Sequence, residues 1–169
     1  MKKNLVLIGM MAVGKTTLGK IVAKQQDLEF IDSDRWIEKK NNMSINEIFE
    51  KKGEKFFRSE ERKEIQGFLK KRGYVIALGG GAFINNAIRE NVLKNSISIW
   101  LDINTKTLYE RTLWNQKRPL LKNGNIKKRI NEIYLERKKI YKLANHKIIC
   151  DGLNKKDIVK KILKIYEKY

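Results

Sequence analysis

The chain has little of what disulfide-built and membrane-embedded proteins depend on. Its one cysteine, Cys150, excludes an internal disulfide framework. No stretch approaches the roughly 18 consecutive apolar residues of a membrane span. The first apolar run, Leu5-Val6-Leu7-Ile8, is too short for the core of a signal peptide. Acidic residues are scarce beside basic ones, 19 against 38, which puts the formal net charge at +19. The first three absences predict a cytoplasmic protein with no membrane contact.

What is present fits one domain spanning residues 1–169, with 41% hydrophobic residues and enough length to bury a substantial core. The basic excess is mostly lysine scattered through helical segments. Such lysines read as solvated helix faces, so no specific nucleic-acid partner is expected. A positive field of this kind draws in anionic substrates.

The chemistry starts at Gly9-Met10-Met11-Ala12-Val13-Gly14-Lys15-Thr16-Thr17. This glycine-rich turn follows the Leu5–Ile8 run and leads into a segment of helical periodicity, the setting of a P-loop. Gly9 and Gly14 let backbone N–H groups approach phosphate oxygens. Lys15 supplies an ammonium for the β- and γ-phosphates, and Thr16 a hydroxyl for Mg²⁺. ATP contacts are therefore expected from Ala12, Val13, Gly14, Lys15, Thr16 and Thr17.

Further along, Thr17 to Gln26 reads as a helix and Leu28 to Ile31 as a short strand ending on Asp32-Ser33-Asp34. Two carboxylates two residues apart at a strand end would share one side of the chain, facing the ligand crevice of an open parallel sheet. Ser33 or Asp34 is also a plausible N-cap for a helix starting near Arg35. Ser44 to Glu47 has the pattern of a capping box, opening a helix through Phe49. Gly53 breaks it, and Glu54 to Lys71 forms a long amphipathic helix on which Arg58 and Glu61 can pair. Tyr74 to Leu78 is a strand running into Gly79-Gly80-Gly81, where something must approach the backbone closely. A helix over Asn86–Lys94, a strand over Ile97–Leu101 and a helix from Asn104-Thr105 through Trp114 follow. Residues 115–125, polar and turn-rich around Arg118-Pro119, read as a mobile lid. A helix over Ile126–Leu143, a strand over Lys147–Cys150 and a helix over Asn154–Tyr166 close the chain. The alternation predicts a three-layer α/β/α fold around a five-stranded parallel sheet.

Six motifs in one order carry a resemblance: Gly9 to Thr17, Asp32-Ser33-Asp34, Phe57-Arg58 with Glu61, Gly79-Gly80-Gly81, Arg118-Pro119-Leu120-Leu121, and Glu136-Arg137 with Tyr141. Together they make the chain resemble the shikimate kinases, P-loop small-molecule kinases of the nucleoside-monophosphate-kinase-like group. The resemblance implies transfer of the ATP γ-phosphate to the 3-hydroxyl of shikimate, on the route to chorismate and aromatic amino acids. It implies Lys15, Asp34 and Arg118 as catalytic residues, Arg118 also contacting ATP from the lid. Asp34, Arg58, Gly80 and Arg137 would hold shikimate, its substrate-binding helical region lying at about residues 33–61. Glu61, Gly79 and Gly81 would support them, and Thr16 and Asp32 would serve Mg²⁺. The chain is expected to act as a monomer on ATP and shikimate. A gluconate-type kinase and a nucleotide-dependent nucleic-acid-associated protein are the alternatives. In this family the position of Ala12 usually carries glycine. Ala12 predicts backbone angles clear of those glycine alone favours. Trp36, Trp100 and Trp114 read mainly as packing residues, Trp36 also standing close enough to Asp34 to line the substrate pocket.

Overall fold

The computed structural model describes residues 2–113 and 125–169. Five parallel strands form the sheet: β1 (Asn4–Ile8), β2 (Glu29–Asp32), β3 (Tyr74–Ala77), β4 (Ser96–Asp102) and β5 (His146–Ile149), in the spatial order β2-β3-β1-β4-β5. Strand β1 is buried on both faces and β4 along its whole length, as a central parallel strand requires. The helices are α1 (Lys15–Gln26), α2 (Ser33–Asn41), α3 (Ile45–Leu69), α4 (Asn86–Asn95), α5 (Thr105–Leu113), α6 (Ile126–Tyr141) and α7 (Lys155–Tyr166). The α1 crossover runs from β1 towards the β2 edge, whereas the α4 crossover runs from β3 towards β4. With right-handed crossovers, opposite directions put α1 and α4 on opposite faces. The three-layer α/β/α arrangement follows, with α7 packed on α1 and α3 on α4.

Sheet register sets the site. Leu7 pairs with Ala77, Asp32 also pairs with Ala77, and the Leu78 N–H donates to the Leu7 carbonyl at 3.1 Å. The loop after β1, the turn after β3 and the end of β2 therefore leave the sheet side by side. That is the switch point of an open parallel sheet, where ligands bind beyond the carboxyl ends of the strands.

Several local expectations needed correction. Helix α2 begins at Ser33, not near Arg35, and its N-cap is Asp32, whose carboxylate accepts from the Arg35 N–H at 3.3 Å. Neither Ser33 nor Asp34 is the cap. Asp34 is thus helical, and strand geometry does not align it with Asp32. The Ser44–Glu47 capping box and the break at Gly53 are both as expected: Gly53 takes the non-helical angles φ 82°, ψ 163° and kinks α3 into two helical stretches, the second ending at Leu69. A 3₁₀ turn over Ala82–Ile84, not foreseen from the sequence, follows the three glycines. Trp36 packs as expected, its indole donating to Glu64 at 2.8 Å and meeting Phe68 edge-on. Trp114 and residues 115–124 of the expected lid, Arg118 among them, lie outside the described residues.

A small apolar cluster of its own, Ile37, Ile48 and Phe57, locks α2 to α3. Each fully buried side chain of this kind contributes about 1.5–3 kcal/mol. The cluster carries Asp34 on one helix and Arg58, next to Phe57, on the other.

Candidate active site

The phosphate loop has the backbone its sequence calls for. Gly9 takes φ 150° with the Leu101 carbonyl oxygen 2.6 Å from where a β-carbon would stand, so no side chain fits. Gly14, at φ 104°, caps α1 without a side chain, which leaves the N–H groups of Lys15, Thr16 and Thr17 at a helix start suited to anions. Lys15 folds back on the loop, its ammonium donating to the carbonyls of Gly9 at 2.8 Å and Met10 at 2.9 Å. Ala12 departs from expectation. Its φ of 62° lies in the left-handed region, at a cost of about 1–2 kcal/mol for an alanine. The loop thus keeps a glycine-like turn without the glycine. Arg111 on α5 reaches the Ala12 and Val13 carbonyls, each at 3.4 Å.

Beside the loop, the Thr16 hydroxyl donates to Asp32 at 2.6 Å, although sixteen residues separate them. Among the described residues no group of three or more His, Cys, Asp or Glu side chains could hold a metal by itself. A Mg²⁺ ion shared with nucleotide phosphates needs only one or two protein oxygens. The hydroxyl–carboxylate pair of Thr16 and Asp32 fits that requirement.

The three glycines after β3 each make room for a different polar side chain. A β-carbon at Gly79 would collide with Asp34 Oδ1 and stand 3.2 Å from Glu61 Oε1. At Gly80 it would stand 2.7 Å from Arg137 Nη1, and at Gly81 2.9 and 3.0 Å from the two terminal nitrogens of Arg58. Close approach, inferred from the glycines alone, is therefore approach by one carboxylate and two guanidinium groups. These arrive from α2, α6 and α3 and meet on one stretch of backbone.

Arg58 donates to Glu61 at 2.8 Å and to exposed Glu54 at 3.2 Å. Composition alone favours a surface pair at that spacing, but Glu61 is buried at 2% exposure. Burial pushes its pKa up to about 7, against the opposing pull of Arg58, with Asp34 adding to the rise. Among the described residues Glu61 Oε1 has no hydrogen-bond partner.

Three contributors escaped the sequence. Ser33, buried, accepts the Gly79 N–H at 2.8 Å and so pins the first glycine. Tyr141, fully buried at the end of α6, donates to the Gly80 carbonyl. Arg111 braces the phosphate loop from α5. The Asp32-Ser33-Asp34 triplet and the Arg137–Tyr141 spacing of one helical turn were the available signals for the first two. Arg111 had none.

The site thus joins a glycine-rich loop at a helix start to an adjacent glycine turn, on which one carboxylate and two guanidinium groups meet. The profile of the family described as "Shikimate kinase" matches residues 11–167. Curated shikimate kinases from Sulfurihydrogenibium sp. and Bacillus subtilis are 41% and 42% identical to this chain, over 95% and 93% of it and 96% and 85% of their own lengths. A solved shikimate kinase from Acinetobacter baumannii in complex with shikimate superposes with a TM-score of 0.94 at 31% identity, covering 99% of this chain and 94% of that one. A gluconokinase from Sinorhizobium meliloti, at 12% identity and a TM-score of 0.57, shares the fold alone. The chain belongs to the shikimate kinase family.

Proposed function

We propose that this chain phosphorylates shikimate at its 3-hydroxyl with ATP, and that the two halves of the site divide the work as follows. The observation that carries the assignment of residues is the meeting of Asp34, Arg137 and Arg58 on Gly79, Gly80 and Gly81, one strand over from the phosphate loop. Arg58 and Arg137 take the shikimate carboxylate, for which planar, forked donors are better suited than ammonium groups. The Gly80 N–H is a further contact. Glu61 holds the Arg58 fork in place from the buried side.

On the nucleotide side, the N–H groups from Val13 to Thr17 surround the phosphates, and Lys15 exchanges its bonds to the Gly9 and Met10 carbonyls for phosphate oxygens. Thr16 and Asp32 serve Mg²⁺, which when bound neutralises phosphate charge. Asp34 orients the 3-hydroxyl and accepts its proton as the new O–P bond forms and the bond to the β-phosphate oxygen breaks, releasing ADP. A loose transition state asks little basicity of it. Arg118 stabilises the charge on the transferred group, and the lid at about 115–125 keeps out water that would hydrolyse ATP.

The chain works as one domain over residues 1–169, as a monomer and in the cytoplasm, without a specific nucleic-acid partner. No helix among the described residues is long and apolar enough to cross a membrane. The net charge of +19 favours capture of two anionic substrates. A coupled ADP-release assay with MgATP should give turnover with shikimate and little with gluconate or AMP. The reverse order of acceptors would refute the assignment.

A further inference from the structure

Tyr141 is fully buried, and its hydroxyl stands where the two halves of the site touch. The hydroxyl donates to the Gly80 carbonyl at 2.5 Å, and the Gly9 carbonyl oxygen lies 3.4 Å from it. Gly9 opens the phosphate loop and Gly80 is the middle of the acceptor turn. The Gly9 carbonyl also receives the Lys15 ammonium at 2.8 Å. Arg137, one helical turn earlier on α6, lies beside the phenol, its charge opposing the rise in pKa that burial causes. Lys15, Gly9, Tyr141, Gly80 and Arg137 thus form a continuous polar chain from the phosphate loop to the carboxylate clamp. Among the described residues no other side chain is seen to meet both the Gly9 and the Gly80 carbonyls through one polar atom.

A phenol has one proton to give. While Lys15 occupies the Gly9 carbonyl, that proton goes to Gly80. When Lys15 leaves for phosphate oxygens, the Gly9 carbonyl turns to the Tyr141 hydroxyl for a donor. Sharing the proton draws the phosphate loop and the glycine turn together and fixes the oxygen beside Arg137. We infer that the Tyr141 hydroxyl is a positioning group coupling the nucleotide site to the acceptor site, so that each substrate tightens the binding of the other. By linkage the effect is reciprocal. The inference rests on the shikimate reading of the acceptor half.

Calorimetric titration of shikimate, with and without saturating MgADP, tests it on the wild type and on Tyr141→Phe, which keeps the ring against Trp100. The wild type should bind shikimate several-fold more tightly with MgADP, and the variant should lose that advantage to within about twofold. The net contribution of one typical hydrogen bond supports a several-fold coupling. A variant that keeps the wild-type ratio, even with a lowered Tm, reduces Tyr141 to a packing role and overturns the inference. So does a wild type with no ratio to lose. Failure of the wild type to bind shikimate at all overturns the acceptor assignment itself. Should the variant not fold, 3-fluorotyrosine placed at position 141 of the otherwise unchanged chain gives a second reading. Its fluorine resonance should move with MgADP alone and with shikimate alone, and a response to only one of them contradicts the coupling.

Discussion

Glu61→Gln separates the charge of Glu61 from its shape. The buried carboxyl titrates at about 7 in the folded chain, against an ordinary 4.5. Between those values the folded state holds a proton that the unfolded state has released. A raised folded pKa contributes stability that is fully present below pH 4.5 and is lost as pH rises towards 7. A shift of this size, at about 1.4 kcal/mol per unit, amounts to roughly 3 kcal/mol across that window. Glutamine titrates nowhere. Its stability relative to the wild type should therefore improve by that order between pH 4.5 and 7, then level off, a change of several degrees in Tm. Any fixed cost of placing an amide beside Arg58 shifts this curve without changing its slope. Function moves the other way, because the amide offers Arg58 an uncharged acceptor in place of a carboxylate. With charge-assisted bonds contributing roughly 1 kcal/mol more than neutral ones, the KM for shikimate at pH 8 should rise about fivefold or more while kcat changes little. At pH 6, where wild-type Glu61 is itself mostly protonated, the two KM values should converge. Thermal melts from pH 4.5 to 8 and shikimate saturation curves at pH 6 and 8 measure both effects. Parallel melting curves for the two proteins, or an unchanged KM at pH 8, would refute the role given to Glu61.

Three further perturbations address the remaining parts of the site. Gly79→Ala places a methyl group on Asp34 and close to Glu61, and displacing a reacting group by about 1 Å typically costs about 10²-fold in rate; kcat should fall by that order with KM for ATP unchanged. Ala12→Gly removes the left-handed alanine, recovering about 1–2 kcal/mol less the roughly 0.5–1 kcal/mol entropic cost of glycine. Its Tm should hold or rise slightly with ATP affinity intact, and a marked fall in Tm would contradict the strain. Arg137→Ala removes one half of the carboxylate clamp, so KM for shikimate should rise at least about tenfold with KM for ATP within about twofold. An equal loss on both substrates would argue against its place in the acceptor half.

Local chemistry made the backbone of the phosphate loop legible in the sequence. Gly9, Gly14, Lys15 and Thr16 act within one turn and its helix, so their spacing is their geometry. The strand and helix order was equally plain because each element carries its own periodicity. Errors clustered where one residue serves two elements. Asp32 ends β2 and caps α2, which moved the helix start to Ser33 and removed the strand logic that had aligned Asp34 with Asp32. The acceptor half was visible only as separate motifs, because Gly79, Gly80 and Gly81 meet their partners across forty-five, fifty-seven and twenty-three positions of chain. Ser33 and Tyr141 act through hydrogen bonds to the glycine turn from 46 and 61 residues away, so the motifs that contain them mark their positions but not their partners. Ala12 misled for a different reason. An alanine argues against a left-handed angle by only about 1–2 kcal/mol, less than the surrounding loop can impose.

The central claim is that the three glycines and the side chains resting on them form the acceptor site. A crystal structure of this chain with shikimate and MgADP tests it most directly. The shikimate carboxylate should lie between Arg58 and Arg137, and the 3-hydroxyl within hydrogen-bond reach of Asp34. Shikimate bound away from Gly79–Gly81, or with its carboxylate turned towards Lys15, would contradict the account.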